Sequence, residues 1–139
     1  CLDACAGSGA LGVEALSRNA AECVFIEKHA GQAKQLQQTL TDFGKPMPVL
    51  VGDTLQLLNQ QKTPFDVIFL DPPYALNFWQ PVCELLVKQQ LIHADSWIYI
   101  EADRDWSALG LPVAWQAIKN TRAGSVHGFL VRYIPVETL

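Results

Sequence analysis

Four consecutive residues, Asp71-Pro72-Pro73-Tyr74, follow the apolar run Val67-Ile68-Phe69-Leu70 and carry the groups best suited to chemistry. Two successive prolines fix φ at both positions and remove two N–H donors. What remains is a rigid rim of acceptors, the Asp71 carboxylate and the Pro72 carbonyl, with the Tyr74 ring directly after it. Such a rim suits an exocyclic amino group on a planar base. That nitrogen is a poor nucleophile because its lone pair is delocalised into the ring. Two acceptors holding its two hydrogens favour a pyramidal nitrogen, whose lone pair can point at an electrophilic methyl group. Tyr74 would stack on the base, which must first swing out of its helix or loop. No strong general base is needed, since the amine becomes acidic as its new bond forms; positioning and charge carry most of the rate. The bland alternative is a strand ending in a Pro-Pro turn with a packed tyrosine.

A second constellation stands near the start, in "CAGSGALGVEAL", where Gly7, Gly9 and Gly12 have the spacing G-x-G-x-x-G. Alone this fingerprint is weak. Physically, such a loop lets backbone N–H groups and a helix N-terminus approach a ligand closely, because glycine has no Cβ in the way. A pyrophosphate would suit it, and so would the carboxylate of an amino-acid-like cofactor. Asp3 separates the two cases: a carboxylate at the strand end would repel a diphosphate but could pair with an α-ammonium group. S-adenosylmethionine carries both an ammonium and a carboxylate. Alternatively, Asp3 merely organises the loop by accepting from its amides. Glu27 closes the next strand-like run, where a carboxylate meets two ribose hydroxyls, which fits an adenosine ribose in either kind of cofactor. Asp53, after Gly52, could accept from an adenine amino group or cap the helix beginning at Thr54, or do both.

These residues need elements to hold them. "CLDACA" is a short apolar run closing on the glycine loop, and residues 12–18 read as a helix, with Asn19 as a left-handed C-terminal residue. "ECVFIE" (22–27) is strand-like. A helix follows over 29–43, with Ala33, Leu36, Leu40 and Phe43 on one stripe and Gly44 and Pro46 as its stop. "MPVLVGD" is a third strand, residues 54–61 a short helix, and "FDVIFLD" (65–71) a strand buried on both faces. A helix over 78–90 and the strand "SWIYIEA" (96–102) come next. This alternation predicts an α/β fold with a doubly wound, mostly parallel sheet. "VAWQAIKNT" and "VHGFLVRYI", separated by the turn 122–125, predict a C-terminal antiparallel hairpin. In an open α/β sheet the ligand crevice lies outside the carboxyl ends of the strands, where Asp71 to Tyr74 fall.

The chain of 139 residues fits one domain, residues 1–139, and half its residues are hydrophobic, enough for a sizeable core. No stretch approaches the roughly 20 uncharged apolar residues of a membrane span. Cys1, Cys5, Cys23 and Cys83 lack C-x-x-C spacing and read as free thiols of a reducing cytoplasm rather than metal ligands. A net charge of −4 argues mildly against a general nucleic-acid binder. Cys1-Leu2-Asp3 reads as the tail of a strand with no initiator Met, so sequence in front is expected to be missing.

"LDACAGSGALGVEALSRNA", with "VFIEK", "GD" and "FLDPPY", closely resembles the bacterial small-subunit ribosomal RNA guanine-N2 methyltransferases of the RsmD family, over essentially the whole chain. The DPPY motif is shared with other amino-methylating enzymes; its combination with the AGSGALG-x-EALSR loop and helix is much more specific. The resemblance implies a Rossmann-like class I methyltransferase fold, truncated at its N-terminus. It implies methyl transfer from S-adenosylmethionine to N2 of one guanine in 16S ribosomal RNA, as naked RNA or in a small-subunit assembly intermediate, by a cytoplasmic monomer. Asp71, Pro72 and Tyr74 would then be catalytic, and Asp3, Gly7, Ser8, Gly9, Glu27 and Asp53 would hold the cofactor, with no metal. Two departures stand out: the basic N-terminal extension and the helix usual before the first strand are absent, and Cys5 replaces a common Phe.

Two other functions compete. A DNA adenine-N6 methyltransferase would be served by the same rim, although no inserted target-recognition segment is visible. A cofactor-binding module needing a partner for catalysis is the other. Among smaller signals, Phe78 and Trp79 read as packing residues more than as base-pocket lining. Lys119, Arg122 and His127 read as a solvated hairpin edge, with no carboxylate placed beside His127 by the sequence. Glu101, ending the fifth strand, reads as structural.

Overall fold

Short apolar strands alternating with amphipathic helices wind the chain twice around one sheet. The computed structural model describes residues 1–7, 9–18, 20–71 and 78–135. The expectations for Ser8, Asn19, Pro72, Pro73 and Tyr74 lie outside the described residues. The elements are β1 (Leu2–Asp3), α1 (Ala10–Ser17), β2 (Val24–Glu27), α2 (Ala30–Asp42), β3 (Val49–Val51), α3 (Thr54–Asn59), β4 (Val67–Leu70), α4 (Trp79–Lys88), β5 (Trp97–Ala102), a 3-10 turn over Trp106–Leu109, β6 (Trp115–Ala123) and β7 (Val126–Tyr133).

Strand order is β3-β2-β1-β4-β5-β7-β6. The first five strands pair in parallel, while β7 runs antiparallel to both β5 and β6. The doubly wound sheet with its terminal hairpin is therefore as the alternation predicts. The hairpin turn is tighter than expected: β6 runs through Arg122 and Ala123, leaving Gly124 and Ser125, and Gly124 takes the left-handed φ of 61°. Because the chain reverses direction across the sheet between β1 and β4, a crevice opens at their carboxyl ends.

Two strands are shorter than their apolar runs. After Asp3 the chain changes partner, the Ala4 amide donating to the Phe69 carbonyl and the Ala6 amide to the Ile26 carbonyl, so β1 peels away into the glycine loop. Pro46 and Pro48 lack donors for the ladder, which confines β3 to three residues. Helix α2 buries Ala33, Leu36 and Leu40 as its periodicity predicts. Phe43 does not join them: it follows the last helical residue and is 46% exposed. Gly44, at φ 76°, ends that helix while the Lys45 amide returns to the Leu40 carbonyl.

The core has a layer on each side of the sheet. Leu16 of α1 and Leu36 and Leu40 of α2 pack on Phe25 and Cys23. On the other face Leu58 of α3 and Trp79, Val82 and Leu86 of α4 pack on Ile26, Ile68, Leu70, Ile98 and Ile100, joined by Phe129 and Val131 of the hairpin. Gly12 sits where α1 crosses β2; a Cβ there would stand 2.3 Å from Cε1 of Phe25. No helix among the described residues is long and apolar enough to cross a membrane.

Candidate active site at the carboxyl ends of the parallel strands

The glycine loop owes its shape to two left-handed residues, Gly7 at φ 55° and Gly9 at φ 77°, with Gly9 capping α1. A Cβ on Gly9 would meet Leu36 Cδ1 at 2.3 Å, whereas one on Gly7 would meet nothing within 4 Å. Gly7 thus faces open space, and that space is a cavity of about 510 Å³. Its walls include Gly7, Glu27, Asp53 and Asp71, which bring together residues from the ends of β1, β2, β3 and β4.

Glu27 is buried, 6% exposed, and both its oxygens are held: Oε1 accepts from the Gly7 amide at 2.9 Å and Oε2 from the His29 amide at 2.5 Å. Each oxygen keeps a further lone pair for a ligand hydroxyl. Asp53 both caps and lines: its Oδ2 accepts from the Gln56 amide at 3.1 Å, and it reaches the cavity wall. The sequence left these two roles open, and the structure combines the cap with a place in the wall. Next to it, Thr54 donates from Oγ1 to the Ala4 carbonyl at 3.0 Å, tying α3 to the glycine loop.

Asp3 takes a different position from the other acids. It is 1% exposed and is not among the residues lining the cavity; its Oδ2 accepts from the buried Gly12 amide at 3.2 Å. In this structure Asp3 therefore has the loop-organising geometry, holding the first turn of α1 against β1. Burial pushes its carboxyl up to about 6, with the nearby Asp71 and Glu27 carboxylates adding to the effect.

Asp71 reaches the cavity from the end of β4, and Phe78 lines the same wall while Trp79 is fully buried in the core. The aromatic pair at the start of α4 thus divides its work between wall and core. Burial, together with the carboxylate of Glu101 in hydrogen-bonding reach, pushes the Asp71 carboxyl up to about 6. Glu101 was not singled out for chemistry by the sequence, because nothing local reveals that β5 pairs with β4. Lys28, His29 and Gln32, also on the cavity wall, gave no signal either. His127 has a carboxylate partner after all, its Nδ1 standing 3.7 Å from Asp105 Oδ1. Lys119 and Arg122 are exposed on the edge strand, Arg122 donating to the Gly124 carbonyl at 2.9 Å.

Three carboxylates, Glu27, Asp53 and Asp71, against Lys28 and His29 make this an acid-rich wall. It disfavours a diphosphate and accommodates hydroxyls and a cationic centre. The residues present therefore fit S-adenosylmethionine better than a dinucleotide. The volume is within the range of small-molecule sites, about 300–1,000 Å³.

Known proteins carry a similar sequence and the same fold. The pattern of the family described as Conserved hypothetical protein 95 matches residues 1–132. Ribosomal RNA small subunit methyltransferase D of Haemophilus influenzae is 38% identical over 131 residues, covering 91% of this chain and 67% of that protein. Its Escherichia coli namesake is 32% identical over 127 residues, 91% of this chain and 64% of that protein. A solved Escherichia coli structure described as a methyltransferase superposes with a TM-score of 0.87 at 31% identity, covering 98% of this chain and 77% of the other. The chain spans about two thirds of the length of the curated relatives it matches. By the family pattern over residues 1–132, identity and fold together, the chain belongs to the Conserved hypothetical protein 95 family, the RsmD family of methyltransferases.

Proposed function

We propose that this protein transfers a methyl group from S-adenosylmethionine to the exocyclic N2 of a guanine in 16S ribosomal RNA, as naked RNA or in a small-subunit assembly intermediate, as a cytoplasmic monomer. The observation that carries the reading is the position of Asp71: it stands at the end of β4, on the wall of an acid-rich cavity, at the point where strand order reverses. The names of the curated relatives, small subunit ribosomal RNA methyltransferases, support the substrate class.

S-adenosylmethionine supplies an electrophilic methyl on a sulfonium centre. The chain's own residues bind, orient and screen. Glu27 accepts from ribose hydroxyls, Gly7 and Gly9, with Ser8 between them, give the cofactor close approach to the loop, and Asp53 accepts from the adenine amino group. Asp3 holds the loop from behind and would add negative potential to the side of the site where a cationic centre binds. Asp71 and the Pro72 carbonyl accept the two hydrogens of the guanine amine, which frees its lone pair for attack, and Tyr74 stacks on the flipped base. Water is excluded on one side by Phe78 and by the glycine loop.

Radiolabelled methyl transfer, compared on ribosomal RNA, small subunits and duplex DNA, tests the reading. Label in N2-methylguanine from ribosomal RNA or small subunits is expected. Label in N6-methyladenine from DNA would make the protein a DNA enzyme, and no label with tight cofactor binding would make it a binding module. Asp71→Ala is expected to abolish transfer while S-adenosylhomocysteine still binds in titration calorimetry. Tyr74→Phe should be milder than Tyr74→Ala, which loses about tenfold to a hundredfold if stacking is worth about 1–3 kcal/mol.

A further inference from the structure

Strands β4 and β5 pair in parallel with Phe69 opposite Tyr99 and Leu70 opposite Ile100. One residue further, the same register sets Asp71 beside Glu101, and their carboxyls lie within hydrogen-bonding reach. Two contacts hold Glu101 in that position, and a third fixes the tyrosine that makes one of them. The Tyr99 hydroxyl donates to Glu101 Oε1 at 3.0 Å, and Trp79 Nε1 donates to the Glu101 carbonyl at 3.1 Å. The Tyr99 ring packs edge-on against Phe69, with centroids 6.5 Å apart. Across the sheet, Glu101 pairs with Gly128, whose lack of a side chain leaves room for the Tyr99 hydroxyl: a Cβ there would lie 2.7 Å from it.

We propose that Glu101 is a positioning residue for Asp71, and that the two carboxyls form one hydrogen-bonded pair that receives the proton shed by the substrate amine. This rests on the methyl-transfer reading above. As the nitrogen–carbon bond forms, the carbon–sulfur bond breaks and its electron pair stays on sulfur as a neutral thioether. The nitrogen becomes cationic and passes one proton to the Asp71 carboxylate. The pair then holds that proton between two oxygens, and it leaves to water from the Glu101 side, which is half-buried rather than sealed. Two adjacent carboxylates bind a proton more tightly than one, so the pair is a stronger base than a lone aspartate, without any histidine.

The charges facing the pair are accounted for element by element. Asp3, at the end of β1, and Asp71 repel one another, Glu27 at the end of β2 acts on Asp3, and the Cys5 thiol, pushed up to about 12 by its own burial, is nearby in the glycine loop. Tyr99 faces it on β5 and Gly128 on β7; His127, one position on, is turned to Asp105. Lys28 and His29 are exposed on the cavity rim. Asp103 and Arg104 follow β5 and pair with each other, Nε to Oδ1, at 2.7 Å. Negative neighbours therefore predominate, which favours keeping one proton on the pair.

The test is a carboxyl-carbon NMR titration of the unsubstituted chain and of Glu101→Gln, with Asp71→Asn to assign the signal. Glutamine keeps the shape and can still accept from Tyr99, but carries no charge. In the unsubstituted chain Asp71 is expected to titrate near about 6. In Glu101→Gln its midpoint should move to lower pH, by roughly one pH unit, while staying above that of an ordinary aspartate because the burial of Asp71 remains. Tyr99→Phe removes the donor to Glu101 and should move the midpoint the opposite way. On small subunits, the acid limb of the kcat/KM profile should move with the NMR midpoint, and kcat at pH 8 should fall about tenfold in Glu101→Gln with KM for S-adenosylmethionine unchanged. An Asp71 midpoint unaffected by Glu101→Gln overturns the pair. A midpoint that moves while the kcat profile does not overturns its role in proton transfer. Absence of guanine methylation by the unsubstituted chain, with the Asp71 midpoint still shifted by Glu101→Gln, overturns the methyl-transfer reading and the proton role together while leaving the pair standing.

Discussion

The Glu27 carboxylate accepts the Gly7 amide at 2.9 Å, so the end of the second strand clamps the glycine loop that follows the first. One side chain thereby both shapes the loop and faces the cavity. Glu27→Ala should cost more cofactor affinity than a lost ribose contact alone. Hydrogen bonds to a charged group are worth about 1.5–3 kcal/mol each, so S-adenosylhomocysteine binding should weaken roughly tenfold to a hundredfold or more in titration calorimetry. Affinity unchanged in the variant would remove Glu27 from the site.

Two glycines of the same loop should fail in different ways. Gly12→Ala drives a methyl into the Phe25 ring and should lower stability by about 1–3 kcal/mol, read as a drop in Tm. Gly7→Ala meets nothing within 4 Å but forces φ 55° on an L residue and places its methyl toward the cavity. Its stability loss should be smaller, about 1 kcal/mol, with cofactor affinity falling more than Tm. Equal losses of affinity in both variants would contradict this division.

Asp3 sets a pH signature. Its folded carboxyl is pushed up to about 6, above the ordinary value of an unfolded aspartate. Between those two values the folded state binds more protons than the unfolded one, so this group's contribution to stability falls as pH rises from about 4 to 6 and stays low above that. Asp3→Asn keeps an acceptor for Gly12 and removes the buried charge. It should therefore raise Tm at pH 8 relative to the unsubstituted chain, by an amount corresponding to about 1–3 kcal/mol, and much less at pH 4. A larger gain at pH 4 than at pH 8 would reverse the sign and refute the argument.

Ten basic residues against fourteen acidic ones leave residues 1–139 at a net charge of −4. Non-specific RNA affinity comes chiefly from neutralised phosphates and falls steeply with salt. The 139-residue chain should hold naked ribosomal RNA weakly at physiological salt, with a shallow slope in a filter-binding salt series. Tight binding with a steep slope would point to the edge strand near Lys119 and Arg122 as an RNA-contacting surface.

Much of the architecture and part of the site were legible in the amino-acid order because they depend on neighbours in sequence. Periodic apolar residues marked the helices, the unbroken Val67–Leu70 run marked a strand buried in a parallel sheet, and the turn residues within 122–125 marked a hairpin between adjacent strands. The glycine spacing and the carboxylates at strand ends located residues that line the cavity, Gly7, Glu27 and Asp53 among them, since helix starts and strand ends are local events. The tertiary structure alone decided which distant residues became partners. Asp71 and Glu101 meet because β4 and β5 pair in register across an intervening helix, and no periodicity encodes that register. The contact of His127 with Asp105 arises in the same way, from β7 folding back beside β5. Asp3 turned inward to Gly12 because the chain changes partners after two residues of β1, a competition between strands settled only once the whole sheet is assembled.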